Sequence, residues 1–217
     1  MSDGLTLEER FQTLPRYAQE KILDDHRLWN VECIDWWDNV FEMFVEDMKN
    51  DNIEVATEWR KSNKRSYQEY CIYFSGFWSQ GDGALFEGSI IDLDKELMSY
   101  PMLYENRKDF DANFWWSTYR GRTNLQIHDE IQIYLPSADA GLRLRAQEQL
   151  VNEIETAWDE LSRAIEERVK SHSDDLYKKL EKEYEYLTSD EAVLESLIAN
   201  EQLETLIKEH EDEFEST

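Results

Sequence analysis

Basic residues are scarce in this 217-residue chain. Its 23 Lys and Arg face 49 Asp and Glu, giving a net charge of −26 and a pI of about 4.4. A field of that sign repels phosphate backbones and anionic membranes, which need Lys and Arg for contact. Nucleic acid, membrane surfaces and acidic substrates are therefore excluded as direct partners, and basic surfaces are favoured. Cysteine is almost missing: Cys33 and Cys71 stand among apolar neighbours with no CxxC spacing. They read as free buried thiols of a reducing compartment rather than a disulfide or a zinc pair. No run approaches the roughly 18 consecutive apolar residues of a membrane span. The opening MSDGLTLEERFQTLPRYAQEK lacks the basic-then-apolar order of a secretory signal. With 3 Pro and 7 Gly, no Gly/Pro/Ser-rich linker divides the chain, so residues 1–217 are expected to form one domain.

Aromatic residues, by contrast, are plentiful. Eight Trp, 11 Tyr and 9 Phe supply a core, each removing roughly 150–250 Å² from water when buried. Residues 1–50 read as helical. Thr6 with Glu9 has capping-box spacing, and Pro15 suits the first position of a helix running to about Leu28. In 31–49, Ile34, Trp37, Phe41, Phe44, Val45 and Met48 mark one face of an amphipathic helix. Residues 51–136 read mainly as strands, near 53–58, 68–76, 84–91, 112–120 and 124–135, with 92–111 helical or irregular and Pro101 a breaker within it. A bulge is expected near His128–Glu130. Residues 137–200 return to helix: Leu150, Ile154, Trp158, Leu161, Ile165, Val169, Leu176, Leu180 and Tyr184 form a stripe, and Ser189 caps a shorter helix. Residues 201–217 read as a solvated acidic tail. The order predicts an α+β fold, a small antiparallel sheet flanked by helices with a long acidic C-terminal helical region. Residues 151–217 carry 21 acids and 7 bases, over half of the net charge in under a third of the chain.

The stretch CIYFSGFWSQGDGALFEG, residues 71–88, holds Gly76, Gly81 and Gly83. A phosphate loop would need GxGxxG entering a helix, or GxxxxGK[ST]. Here a strand follows and no lysine is present, and Ser79 lacks the GxSxG frame of a nucleophile elbow. The stretch reads as a hairpin turned at Asp82-Gly83, with Phe77, Trp78 and Phe86 as a candidate contact surface. His26, His128, His172 and His210 show no metal-ligand spacing, so no metal and no cofactor are expected. Arg120-Gly121-Arg122 and the Lys61, Lys64, Arg65 group are the local basic features; each balances neighbouring acids or clamps an anion. Trp36-Trp37 and Trp115-Trp116 each read as one core and one rim residue.

Trp36, Trp37, the SGFWSQGDGALFEG block, Arg120–Arg122 with His128 and the Tyr184–Asn200 block occur in an order that resembles a family of small acidic proteins encoded by phages and plasmids. Some of its members are described as antitoxin-like; the more acidic residues after Asn200 depart from its pattern. The resemblance implies a mobile-element accessory protein acting in the bacterial cytoplasm, and it brings no catalytic residue. The leading expectation is thus a non-enzymatic, anti-defence inhibitor of a host protein, plausibly a nucleic-acid-handling one, which presents carboxylates where phosphates would lie. Glu153, Glu160, Glu167, Asp174, Asp175, Glu181 and Glu183 are the candidate charges and Phe77 and Trp78 the candidate anchors. A second reading is an antitoxin neutralising a basic toxin. A third is a small hydrolase or ligand-binding protein using the Ser79–Asp82 loop with His128. A homodimer is compatible with each.

Overall fold

The computed structural model describes residues 5–32, 35–62, 65–79, 81–118, 125–134 and 141–215. The fold is α+β, with a small antiparallel sheet, flanking helices and one long C-terminal helix. Two compact units divide the chain: Phe41–Lys178, and Met1–Val40 together with Lys179–Thr217. The boundaries fall inside helices, α3 (Asp38–Asn50) and α6 (Gly141–Leu187), so no linker sequence marks them.

The first unit is organised around three strand-like runs, each of which changes partner midway. Residues 53–62 form β1 (Ile53–Val55) and β2 (Thr57–Ser62); 65–74 form β3 (Arg65–Tyr70) and β4 (Ile72–Phe74); 84–90 form β5 (Ala84–Phe86) and β6 (Gly88–Ile90). The single strands expected near 53–58, 68–76 and 84–91 are thus each divided, and the first two runs also reach further, to Ser62 and back to Arg65. The pairing β1–β6, β2–β3 and β4–β5 breaks each of them at a single residue. Those residues close a ring of backbone bonds. Ala56 N–H donates to Glu87 C=O (2.8 Å), Glu87 N–H to Cys71 C=O (2.9 Å) and Cys71 N–H to Ala56 C=O (2.8 Å). Three ribbons therefore leave one junction with its backbone groups satisfied, as buried peptide groups require.

The ribbon β1–β6 is extended by β7 (Phe110–Thr118) and β8 (Leu125–Ile133) into a four-stranded antiparallel sheet, order β1-β6-β7-β8. The β7–β8 register is uniform from Phe110↔Ile133 to Thr118↔Leu125, so the expected bulge near His128–Glu130 is absent. Alternation puts Phe110, Phe114 and Trp116 on one buried face. From α6, Trp158 stacks on Phe114 at 4.3 Å; from α3, Phe44 meets Phe86, which meets Trp116 edge-on at 5.6 Å. Trp116 is in the core and Trp115 half-buried, the expected division. Gly88, opposite Trp116, has no room for a side chain. A Cβ there would lie 2.5 Å from the Glu54 carbonyl oxygen and 3.0 Å from the indole.

Between β6 and β7 run α4 (Leu93–Leu97), capped by Asp92, and α5 (Pro101–Glu105). Pro101 opens α5 rather than breaking the chain, because its missing N–H is not needed in a first turn. Helix α6 is 47 residues long, about 70 Å at 1.5 Å per residue. The expected stripe is its buried side at Ile154, Trp158, Leu161, Ile165, Val169, Leu176 and Leu180.

The second unit joins both ends of the chain. Helices α1 (Leu7–Thr13), α2 (Arg16–Asp25), α7 (Asp190–Ala199) and α8 (Leu203–Glu215) bury Phe11, Leu14, Ala18, Ile22, Leu23, Val193, Leu197, Leu203 and Ile207 in one cluster. The Thr6/Glu9 capping box and the Ser189 cap are present. Pro15 sits one place earlier than expected, at the cap of α2, and that helix ends at Asp25 rather than Leu28. The helix expected from residue 31 starts only at Asp38. Trp29–Val31 is a 3-10 turn, and Trp36 packs edge-on against Trp37 (5.4 Å) and Tyr184 (5.9 Å), both Trp being half-buried. The supposed acidic tail is helical through Glu215. Leu203 and Ile207, one turn apart, drive it into the cluster, each worth roughly 1.5–3 kcal/mol when fully buried. Cys33, Ile34 and Leu135 lie outside the described residues.

Candidate interaction surface

The β4–β5 ribbon pairs Phe74 with Ala84, so its loop runs from Ser75 to Gly83. The hairpin is as expected, but Asp82-Gly83 is not a two-residue turn. Instead the Asp82 carboxylate accepts from the backbone N–H of Trp78 (2.7 Å) and Ser79 (2.5 Å), while Asp82 N–H donates to Ser79 C=O (3.0 Å). Ser75 closes the base of the loop: its hydroxyl accepts from Gly83 N–H and its own N–H donates to Gly83 C=O. Gly76 (φ +115°) and Gly81 (φ +101°) occupy backbone conformations that only glycine adopts cheaply. This carboxylate holds the loop. Phe77 is half-buried between Phe74 (4.8 Å) and Tyr177 (5.5 Å), and Trp78 is 83% exposed. Of the two expected anchors, one supports the loop from below and one projects.

On α6, Glu153, Glu160, Glu167, Asp174, Asp175 and Glu181 are exposed and Glu183 is half-buried. Glu153, Glu160, Glu167 and Asp174 recur every seven residues, a spacing of about 10.5 Å along one side of a helix. Among the described residues none of these four is in a salt bridge, whereas Asp175 pairs with Lys178 at 3.3 Å and Glu166 with Lys170 at 2.6 Å. The side toward the unit's core is neutralised differently. Arg168 grips Glu96 of α4 with two bonds, 3.0 and 3.1 Å, and His172, one turn on, meets Asp51 at 2.6 Å. Glu96 also accepts from Asn52, which takes the left-handed conformation (φ 64°) at the end of α3 and exchanges bonds with the Asp92 backbone. Sequence reading missed this network. Its trace was Arg168 and His172 four apart on one helix face, and an Asn, tolerant of positive φ, where the pattern broke after α3. Tyr100 is raised from its ordinary pKa by burial and then by Glu160 and Glu96.

A second polar knot lies beside the junction. Glu87 accepts from Thr118 N–H (3.0 Å), Thr118 Oγ1 (2.7 Å) and the Tyr73 hydroxyl (3.3 Å). Burial, followed by the Glu87 charge, pushes the Tyr73 phenol up to about 12 and raises the Cys71 thiol. Cys71 is free and buried, and a raised thiol is a poor nucleophile. His128 fills a pleat position on β8, stacked on Trp115 at 5.1 Å and 3.1 Å from Ser117 Oγ. Ser79 and Asp82 bond to each other, while His128 pairs with Ser117; among the described residues no hydrogen bond joins His128 to that loop. Among the described residues there is no group of three or more His, Cys, Asp or Glu placed to hold a metal, and no helix long and apolar enough to cross a membrane. Lys64 and Arg120-Gly121-Arg122 lie outside the described residues.

The model of a domain of unknown function, DUF8835, matches residues 36–190. The chain belongs to the DUF8835 family. The match takes in all eight strands, α6 and the first residue of α7, while α1, α2 and α8 fall outside it. No curated protein and no solved structure matches the chain.

Proposed function

We propose that this DUF8835 protein is a non-enzymatic accessory protein of a phage or mobile element that binds and inhibits a basic host protein, one that handles nucleic acid. The observation carrying this reading is the ladder of exposed carboxylates, Glu153, Glu160, Glu167 and Asp174, on a helix whose core side is locked by Arg168–Glu96. A rigid helix presents charge at fixed intervals without the entropy cost of ordering a flexible acidic segment. Trp78, 83% exposed beside Phe77 on a loop fixed by Asp82, supplies the aromatic anchor that interfaces favour. Asp175 adds to the acidic character of α6 in the same unit, and Glu181 and Glu183 belong to the other unit. The resemblance of the SGFWSQGDGALFEG block supplies the setting.

Affinity capture from a bacterial host, with partners identified by mass spectrometry, tests the reading. A nucleic-acid-handling protein should be retained in low salt and released as salt rises, since charge-driven contacts are screened over about 8 Å at physiological ionic strength. The Glu153→Lys/Glu160→Lys/Glu167→Lys variant should lose it. Salt-insensitive capture, or capture unaffected by that variant, would sink the proposal.

A further inference from the structure

The β2–β3 ribbon is an exposed element that the acidic face does not explain. Its side chains are exposed at every residue from Thr57 to Lys61 and from Ser66 to Gln68, and again at Tyr70. A two-stranded ribbon is marginal in water unless something covers it. Its two faces differ. Side chains alternate, so Glu58, Arg60, Tyr67 and Glu69 share one face, where Arg60 pairs with Glu58 (2.8 Å) and Glu69 (2.7 Å). The other face holds Thr57, Trp59, Lys61, Ser66, Gln68 and Tyr70, and the Gln68 side chain donates to Thr57 Oγ1 across it (2.6 Å). That face has no carboxylate at all in a chain of net charge −26, and it exposes Trp59 by 72% and Tyr70 by 38%. In sequence, residues 57–70 hold four bases against two acids.

We propose that this acid-free face docks on the acidic side of α6 in a second copy of the chain. Charge selects the occupant. The ribbon face carries Lys61 and no carboxylate, and the α6 face of a second copy offers Glu153, Glu160 and Glu167, so the two are locally complementary. Ribbon against ribbon would bring like charges together, and charged edges resist strand addition. Length agrees: six residue pairs extend about 20 Å, and Glu153 to Glu167 spans about 21 Å of helix. In a two-fold dimer each copy gives one ribbon and receives one, so the contact is made twice. Trp59 is the anchor, packing on the apolar stems between carboxylates, and Lys61 is the charge partner. The proposal uses the α6 face named under the proposed function, but self-association is measured with no partner present, so its failure leaves that reading standing.

Sedimentation equilibrium of the full chain in low salt, at up to about 100 µM, tests this. The expected mass is twice 26.0 kDa. Trp59→Ser and Lys61→Glu should each raise the dimer dissociation constant about tenfold or more, a hot-spot-sized effect. Combining Lys61→Glu with Glu160→Lys should recover most of the loss. Tyr67→Ser, on the opposite face, should leave association unchanged and so separates docking from ribbon stability. A monomeric wild type would overturn the proposal, as would equal effects of Trp59→Ser and Tyr67→Ser. Single-stranded DNA binding by a monomer through Trp59 would overturn it in favour of a polyanion.

Discussion

The β4–β5 and β2–β3 ribbons leave the same junction, yet one is packed and the other bare. In β4–β5, Ile72, Ala84 and Phe86 are buried, Phe74 and Phe77 lean toward Tyr177, and Asp82 and Ser75 tie the loop. In β2–β3, Trp59, Tyr67 and Tyr70 are exposed and Arg60 pairs with Glu58 and Glu69 within the ribbon. Both have strand-like sequences rich in aromatics, so propensity does not separate them. The difference is where hydrophobic side chains meet a helix. The packed ribbon belongs to the core, and the bare one is free to meet another molecule.

The hardest test of that contrast is the junction, because both ribbons depend on it. Gly88→Ala should destabilise the protein by about 3 kcal/mol, since the clash is with backbone and a core indole rather than a flexible side chain. Denaturant unfolding followed by tryptophan fluorescence measures this. A change under 0.5 kcal/mol would mean that the strands are not held as closely as the register indicates.

A smaller effect is expected from the loop of the packed ribbon alone. Asp82→Ala leaves the Trp78 and Ser79 N–H groups without their acceptor and should cost about 1 kcal/mol, limited because water reaches the loop. Amide exchange at Trp78 and Ser79 should speed up while that of β7 and β8 stays the same. Equal acceleration throughout would erase the distinction between loop and core.

A further effect, confined to strongly alkaline pH, is expected beside the junction. Tyr73 is held protonated by burial and by Glu87, with its folded pKa near 12 against about 10 for a free phenol. A raised folded pKa contributes stability that is fully present below about 10 and lost as pH rises through about 12. Tyr73→Phe should flatten the stability profile across that window. Unchanged slopes in wild type and variant would place the phenol in water.

Periodicity made much of this fold legible. The α6 stripe from Ile154 to Leu180 is the buried side, and the Thr6/Glu9 box and the Ser189 cap are where local hydrogen bonding puts them. The errors fell where a residue's partner is distant in sequence. Ala56, Cys71 and Glu87 look like ordinary strand residues, and only their mutual bonds split three strands into six. The acidic α8 read as solvated because charge dominates its composition. Two aliphatic residues one turn apart, Leu203 and Ile207, outweigh that charge once Phe11 and Ile22 stand opposite. At the candidate surface, the carboxylates and Trp78 were visible as residue types, while Phe77's partly buried role was not.

Local chemistry, written in the sequence, determined the helices, their caps, the acidic field and the glycine-dependent loop, because each depends on neighbours within a few residues. Tertiary structure alone decided the three-way junction, the bare ribbon and the joining of the two chain ends in one helical unit. Those rest on backbone bonds and apolar surfaces between segments far apart in the chain, and no short-range pattern encodes which of them will meet.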